Sequence, residues 1–90
     1  METAIEQLVG HVVVLDVTTR YVYVGTLSGL DRHYLDLRDA DVHDLRDTAN
    51  TTRELYVLEA KRHGFHRNRK RVLVRREDVV SVSALDDVVE

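Results

Sequence analysis

The sequence predicts a small, mainly β domain of five short strands with two short helical segments, and three observations point there. Runs rich in Val, Leu and other strand formers recur at short intervals: HVVVLDV over 11–17, Tyr21 to Leu30, KRVLVR over 70–75 and VVSVSA over 79–84. Gly25 and Gly29 fall inside the second run, where a missing side chain permits the bend or close backbone approach that strongly curved small sheets need. Two Thr-x-x-Glu spacings, Thr3 to Glu6 and Thr51 to Glu54, have the form of helix-start signals.

Taken in order, Thr3 and Glu6 precede Ile5 and Leu8 on one helical face, and Gly10 suits the exit, so residues 4–9 read as a short helix. HVVVLDV is the first strand. A polar Thr18-Thr19-Arg20 link, short enough for a hairpin, leads to the second, so the two are expected to pair antiparallel. A third strand from Arg32 to about Val42 alternates His33, Leu35 and Leu37 with Arg32, Asp36 and Arg38, a half-buried pattern. After Thr51 and Glu54 come Leu55, Leu58 and good helix formers, then Gly64 as a cap, which predicts a helix over 52–63. A strand over LYVL is the alternative, because Tyr56 and Val57 favour sheets. Strands over 70–75 and 79–84 follow, separated by the tight link Arg76-Glu77-Asp78.

Composition narrows the class. Ninety residues suit one domain, and 43% apolar content in alternating runs excludes disorder. With no cysteine there is neither a disulfide framework nor a thiolate metal site nor a cysteine nucleophile, and a reducing cytoplasm is the expected location. No apolar run approaches the about 20 residues that span a bilayer, and METAIEQLVG lacks the pattern of a secretion signal, so no membrane association is expected. A chain this short buries only about two-thirds of its unfolded surface, which makes self-association the expected source of further stability.

The net charge of −3 conceals an asymmetry. Residues 61–76 carry eight Lys or Arg and no Asp or Glu, while the other segments hold all sixteen acids and five basic residues. Such a segment suits phosphate binding through counterion release. Neutralisation by the acidic body, notably Asp36, Asp39, Asp41, Asp44 and Asp47, fits the same numbers.

The stretch from Leu8 to Ala40 resembles the first motif of the Sm-like (LSm) superfamily: Leu8 and Gly10, then Tyr23, Gly25 and Leu27 in a Y-x-G-x-L pattern, then Asp31, His33, Leu35 and Leu37. Val74, Arg75, Arg76, Glu77, Asp78 and Val79 look like the second motif. Together the motifs cover about half the chain, and the resemblance implies a single Sm-like domain over 1–90. It implies a five-stranded, strongly bent antiparallel barrel whose copies join edge to edge into a homo-oligomeric ring, usually of six or seven. The short, proline-free fourth and fifth strands are consistent with edges that pair with a neighbour.

The resemblance further implies single-stranded RNA as partner, held at a pore. The candidate RNA-binding residues are Asp31 as loop organiser, His33 as stacking platform, Arg75 as the guanidinium against base or phosphate, and Arg76, whose role stays open. Departures bear on function. Arg20 stands where the family usually has glycine in the first hairpin, and Arg75-Arg76 replaces Arg-Gly. The asparagine that reads a uracil edge falls on Leu35 or is deleted, which puts uridine specificity in question. His33 also fits a partly buried structural imidazole beside Leu35 and Leu37, and Arg75 fits an ion pair with Asp31 or Asp36.

Other patterns point to blander roles. Phe65-His66-Arg67-Asn68-Arg69 mixes aromatic and basic residues but reads as a solvated loop entering a strand, and Asp39, Asp41, His43 and Asp44 read as a wet strand end rather than a metal site. No Ser-His-Asp order, G-x-S-x-G or phosphate loop is present, so no catalytic residues, metal or cofactor are expected and the chain is not read as an enzyme. The rival to RNA binding is a structural or protein-interaction module that kept the ring and lost RNA recognition, with the helix over 52–63 as its docking surface.

Overall fold

The computed structural model describes residues 3–46 and 52–90. They form β1 (Val12–Val17), β2 (Tyr21–Leu30), β3 (Tyr34–Asp44), α1 (Arg53–His63), β4 (Arg69–Arg75) and β5 (Val79–Ala84), with 3-10 turns at Glu6–Leu8, Arg76–Asp78 and Leu85–Asp87. The five strands make one antiparallel sheet in the order β4-β3-β2-β1-β5. β4 and β5 are joined by a turn of three residues, yet they occupy opposite edges of the sheet. Only a sheet curled back on itself meets both conditions.

The curl is made in β2 and β3. Their register slips between Val24 and Thr26 and again between Leu27 and Gly29, and such bulges bend a strand and increase its twist. At the first slip, a Cβ placed on Gly25 would lie 2.7 Å from Ala40 Cβ and 2.9 Å from Ala40 Cα, so the two backbones approach as no side chain would allow. Asp39, adjacent to Ala40, takes a φ of 49°, a left-handed conformation that Asp tolerates better than most residues. Gly29 has open space around its Cβ position, so Gly25 alone is the close approach.

Curling gives the sheet an inner and an outer face. Val13, Leu15, Val17, Leu27, Leu35, Leu37, Ala40 and Val74 fill the inside, with Ile5 and Leu8 of the N-terminal turn packed against them. On the outside, Val14, Val22 and Val24 are covered by Tyr56 and Val57 of α1 together with Phe65 and Leu85. β1 is therefore covered on both faces, which is why Val13, Val14 and Leu15 are buried in succession rather than alternately.

The inserted segment is a helix, not a strand over Leu55–Leu58. Thr52 caps it, its hydroxyl accepting from Leu55 N–H at 3.1 Å. Thr51, the start that the Thr-x-x-Glu spacing suggests, lies outside the described residues. Gly64, at a φ of 82°, ends the helix. Arg53, Tyr56, Val57, Ala60 and Lys61 form the stripe turned to the sheet, whereas Leu55 is 43% exposed. Both polar ends of that stripe reach carbonyls: Arg53 Nη2 donates to Thr19 O at 3.0 Å and Lys61 to Asp86 O at 3.0 Å. The N-terminal segment is shorter than the helix expected over 4–9. It is one 3-10 turn, entered through Thr3, whose hydroxyl accepts from Glu6 N–H at 3.2 Å.

Asp41 is not the wet strand end that its acidic neighbours suggest. It is 7% exposed, accepting from the Tyr56 hydroxyl and, at 2.9 Å, from the Asn68 amide. Burial, then the Asp41 hydrogen bond, pushes the Tyr56 hydroxyl well above its usual pKa and keeps it a neutral donor. The Tyr56 ring stacks on His43 at 4.2 Å. Asn68 also accepts from Val42 N–H at 3.0 Å and donates to Val42 O at 3.1 Å, so a side-chain amide does for β3 what another residue of β4 would do. Phe65 packs on the outer face and Arg67 stacks over it, 5.2 Å from the ring centre. Phe65 and Asn68 thus belong to the helix–sheet joint, while His66, Arg67 and Arg69 are exposed, as a solvated loop entering a strand would have them.

Gly25→Ala is expected to destabilise the fold by about 1–3 kcal/mol through overpacking against Ala40. Gly29→Ala should stay within about 0.5 kcal/mol of the parent. Urea denaturation of both variants checks the pair, and equal effects would refute the special role of Gly25.

Candidate functional site

Two connections meet at one end of the curled sheet: the β2–β3 loop and the β4–β5 turn. In the loop, the Asp31 carboxylate accepts from the N–H groups of His33 and Tyr34, both at 2.8 Å, and Asp31 N–H donates to Tyr34 O at 3.0 Å. This is the local side-chain bonding that makes Asp a turn former. The bond from His33, then that from Tyr34, holds the Asp31 carboxyl below the usual carboxylate range. The turn reaches across to the same loop. Arg76 N–H donates to His33 O at 2.8 Å, and the Arg76 guanidinium donates to Asp31 O at 2.7 Å. Strand pairing sets Arg75 opposite Tyr34.

Between the two lies a groove of ≈ 340 Å³ lined by Arg32, His33, Tyr34, Arg75, Arg76 and Glu77. The structure brings the four residues singled out from the sequence together: His33, Arg75 and Arg76 line the groove, and Asp31 shapes the loop behind them. His33 is exposed and precedes β3, so it is not a structural imidazole packed with Leu35 and Leu37. Arg75 pairs with acids of its own turn, Glu77 at 2.7 Å and Asp78 at 3.2 Å, and not with Asp31 or Asp36. Asp36 is taken by Arg71 at 3.1 Å and Arg38 at 3.2 Å. Part of the basic segment, Arg71 and Arg75 included, is therefore paired with acids within the chain, and Arg32, Arg75 and Arg76 line the groove.

Three lining residues escaped the sequence reading: Arg32, Tyr34 and Glu77. Tyr34 had a usable signal, because a strand that turns Leu35 and Leu37 inward turns Tyr34 outward, and it is 38% exposed. Glu77 sits in a link that reads only as a tight turn. Chemically, the groove offers two flat rings, three guanidiniums and one carboxylate, a set for stacking planar groups and attracting anions. Among the described residues, no Ser, Thr, Cys or Lys lines it.

No protein-family model matches the chain, and no curated protein matches it. Among solved structures, the chain is similar to the Sm protein of Pyrococcus abyssii in complex with a uridine heptamer. The likeness covers 92% of this chain and 99% of that one, with a TM-score of 0.60 at 16% sequence identity. The chain has an Sm-like fold, with a helix inserted between the third and fourth strands.

The lowered Asp31 pKa fixes the sign of a pH dependence. An Asp depressed in the folded state contributes stability in full above its ordinary value of about 3.9, and loses it as pH falls through the lowered value. The part of the His33 and Tyr34 amide shifts that follows Asp31 should therefore have its midpoint below about pH 3.9. A midpoint at or above the ordinary value would refute the two-bond turn.

Proposed function

We propose that the protein is a non-catalytic, ring-forming binder of single-stranded RNA. The observation that carries the reading is the groove where the β2–β3 loop and the β4–β5 turn lock together, with His33 and Tyr34 beside Arg75 and Arg76. The similar Sm protein, solved with a uridine heptamer, supports RNA as the ligand class. A base stacks on His33 or Tyr34, and the Arg75 guanidinium covers it or meets the phosphate. Arg75 is already paired with Glu77 and Asp78 but remains 56% exposed. Exposed ion pairs contribute only about 0–1 kcal/mol, so a phosphate competes for it. Asp31 and Arg76 hold the two loops in register.

The edges support the ring. Among the described residues, β4 and β5 each have one side without a strand partner, and each carries an exposed apolar residue, Leu73 at 49% and Val80 at 68%. Antiparallel pairing of β4 with β5 of the next copy, Leu73 opposite Val80, would run residues 69–74 of one copy alongside 79–84 of the other. The apolar contact supports this register, and six or seven copies close the ring. A cytoplasmic location belongs to the same proposal, supported by the cysteine-free composition.

A second reading, a ring that binds protein rather than RNA, is favoured by one observation: Glu77 and Asp78 already neutralise Arg75. Native purification with light scattering and the ratio of absorbance at 260 and 280 nm separates the two. The expected result is a mass six or seven times 10.4 kDa with co-purifying nucleic acid. A protomer mass at micromolar concentration would reject the ring, and a Leu73→Glu change should produce that mass deliberately. Arg75→Ala should weaken binding of short single-stranded RNA about fivefold or more, with a steep loss of affinity on adding salt. Undetectable binding at low salt would overturn the RNA reading.

A further inference from the structure

We infer that the groove selects guanine over uracil, and that Glu77 is the residue that makes the choice. This selectivity presupposes the RNA-binding reading above and extends it from the polymer to the base. Among the described residues, the groove wall offers three guanidiniums, an imidazole, a phenol and one carboxylate, and no carboxamide. Uracil presents one N–H between two carbonyl oxygens, so reading its edge takes a donor and an acceptor side by side, as a carboxamide supplies. An ionised carboxylate only accepts. Against uracil, one of its oxygens takes the N–H while the other faces a carbonyl oxygen, like against like.

Guanine reverses the match. Its N1–H and exocyclic amino group are adjacent donors that fit the two oxygens of one carboxylate, as the guanidinium fork does. Its other edge, O6 and N7, accepts a guanidinium in bidentate fashion. The groove supplies both partners. The Glu77 side chain is 74% exposed and is held through one oxygen by Arg75 at 2.7 Å, which leaves acceptor capacity on both oxygens. Arg75 and Arg76 are engaged with Glu77, Asp78 and Asp31, and Arg32 is the exposed guanidinium beside them. His33 and Tyr34 supply stacking faces that any base can use. Adenine and cytosine each pair an amino donor with a ring-nitrogen acceptor, so a carboxylate gains one bond from either, as from uracil, and two only from guanine.

The test compares four labelled RNA heptamers by fluorescence anisotropy at low salt: AGAGAGA, AIAIAIA with inosine, ACACACA and AUAUAUA. The guanine heptamer should bind about fivefold or more tighter than the uracil one. Inosine, which lacks the 2-amino group, should lose most of that advantage. Glu77→Gln removes a negative charge, so it should tighten binding to the uracil and adenine–cytosine heptamers while abolishing the guanine preference; a merely structural role for Glu77 would weaken all four alike. Binding of all four with equal strength, tighter binding of the uracil heptamer, or a guanine preference that survives Glu77→Gln overturns the assignment while leaving the RNA reading intact. Binding of none overturns both.

Discussion

Gly25 and Ala40 meet where β2 and β3 cross with no side chain between them, and the rest of the structure depends on that closeness. A larger residue at either place would hold the two long strands apart and flatten the sheet. The inner core would then lose its enclosure, because Val13 and Leu15 of β1 and Leu37 and Val74 of β3 and β4 face one another only across a curled sheet. The curl also explains how a three-residue turn joins two opposite edge strands. Without it the β2–β3 loop and the β4–β5 turn would lie at separate corners, and Arg76 would not reach the carbonyls of Asp31 and His33. One missing methyl group thus underlies both the core and the groove.

The outer face obeys a different economy. α1 is mostly polar and fully buries Ala60 alone, with Tyr56 and Val57 half-buried over Val14, Val22 and Val24, so its apolar contact with the sheet is narrow. Directed bonds do more: Tyr56 and Asn68 converge on the buried Asp41, and Arg53 and Lys61 reach carbonyls at either end of the helix. A carboxylate out of water is unfavourable unless its lone pairs are met. Here they are met from the helix and from the segment after it, so the charge ties three pieces of chain together. Specific attachment, rather than bulk hydrophobicity, fixes the insertion on the sheet.

Much of this was readable beforehand, for physical reasons that differ by element. β1, β2 and β5 were legible because β-branched runs have few alternatives, and the close approach at Gly25 because glycine inside a strand needs an explanation. The helix was legible through its cap and Gly64, but its buried face was not. Leu55 and Leu58 look like the core pair, whereas the sheet-facing stripe begins and ends in Arg53 and Lys61, long side chains that no hydropathy pattern marks as inward. At the site, the motif residues lie together, yet the acids beside Arg75 come from its own turn. Sequence patterns encode which strand carries a residue better than which neighbour a flexible guanidinium selects. Glu77 was missed because nothing in a three-residue link distinguishes a lining group from a solvated one.

Asn68 shows how much can hang on one nitrogen atom. Its amide both gives and takes hydrogen bonds, meeting Val42 on two sides and Asp41 on a third. Spontaneous deamidation would exchange that nitrogen for oxygen, keeping the shape while deleting both donated bonds and setting a fresh anion against a desolvated one. Chemical ageing of this single residue would loosen the seam between insertion and sheet from within, with no bulk added and no hydrophobic contact removed.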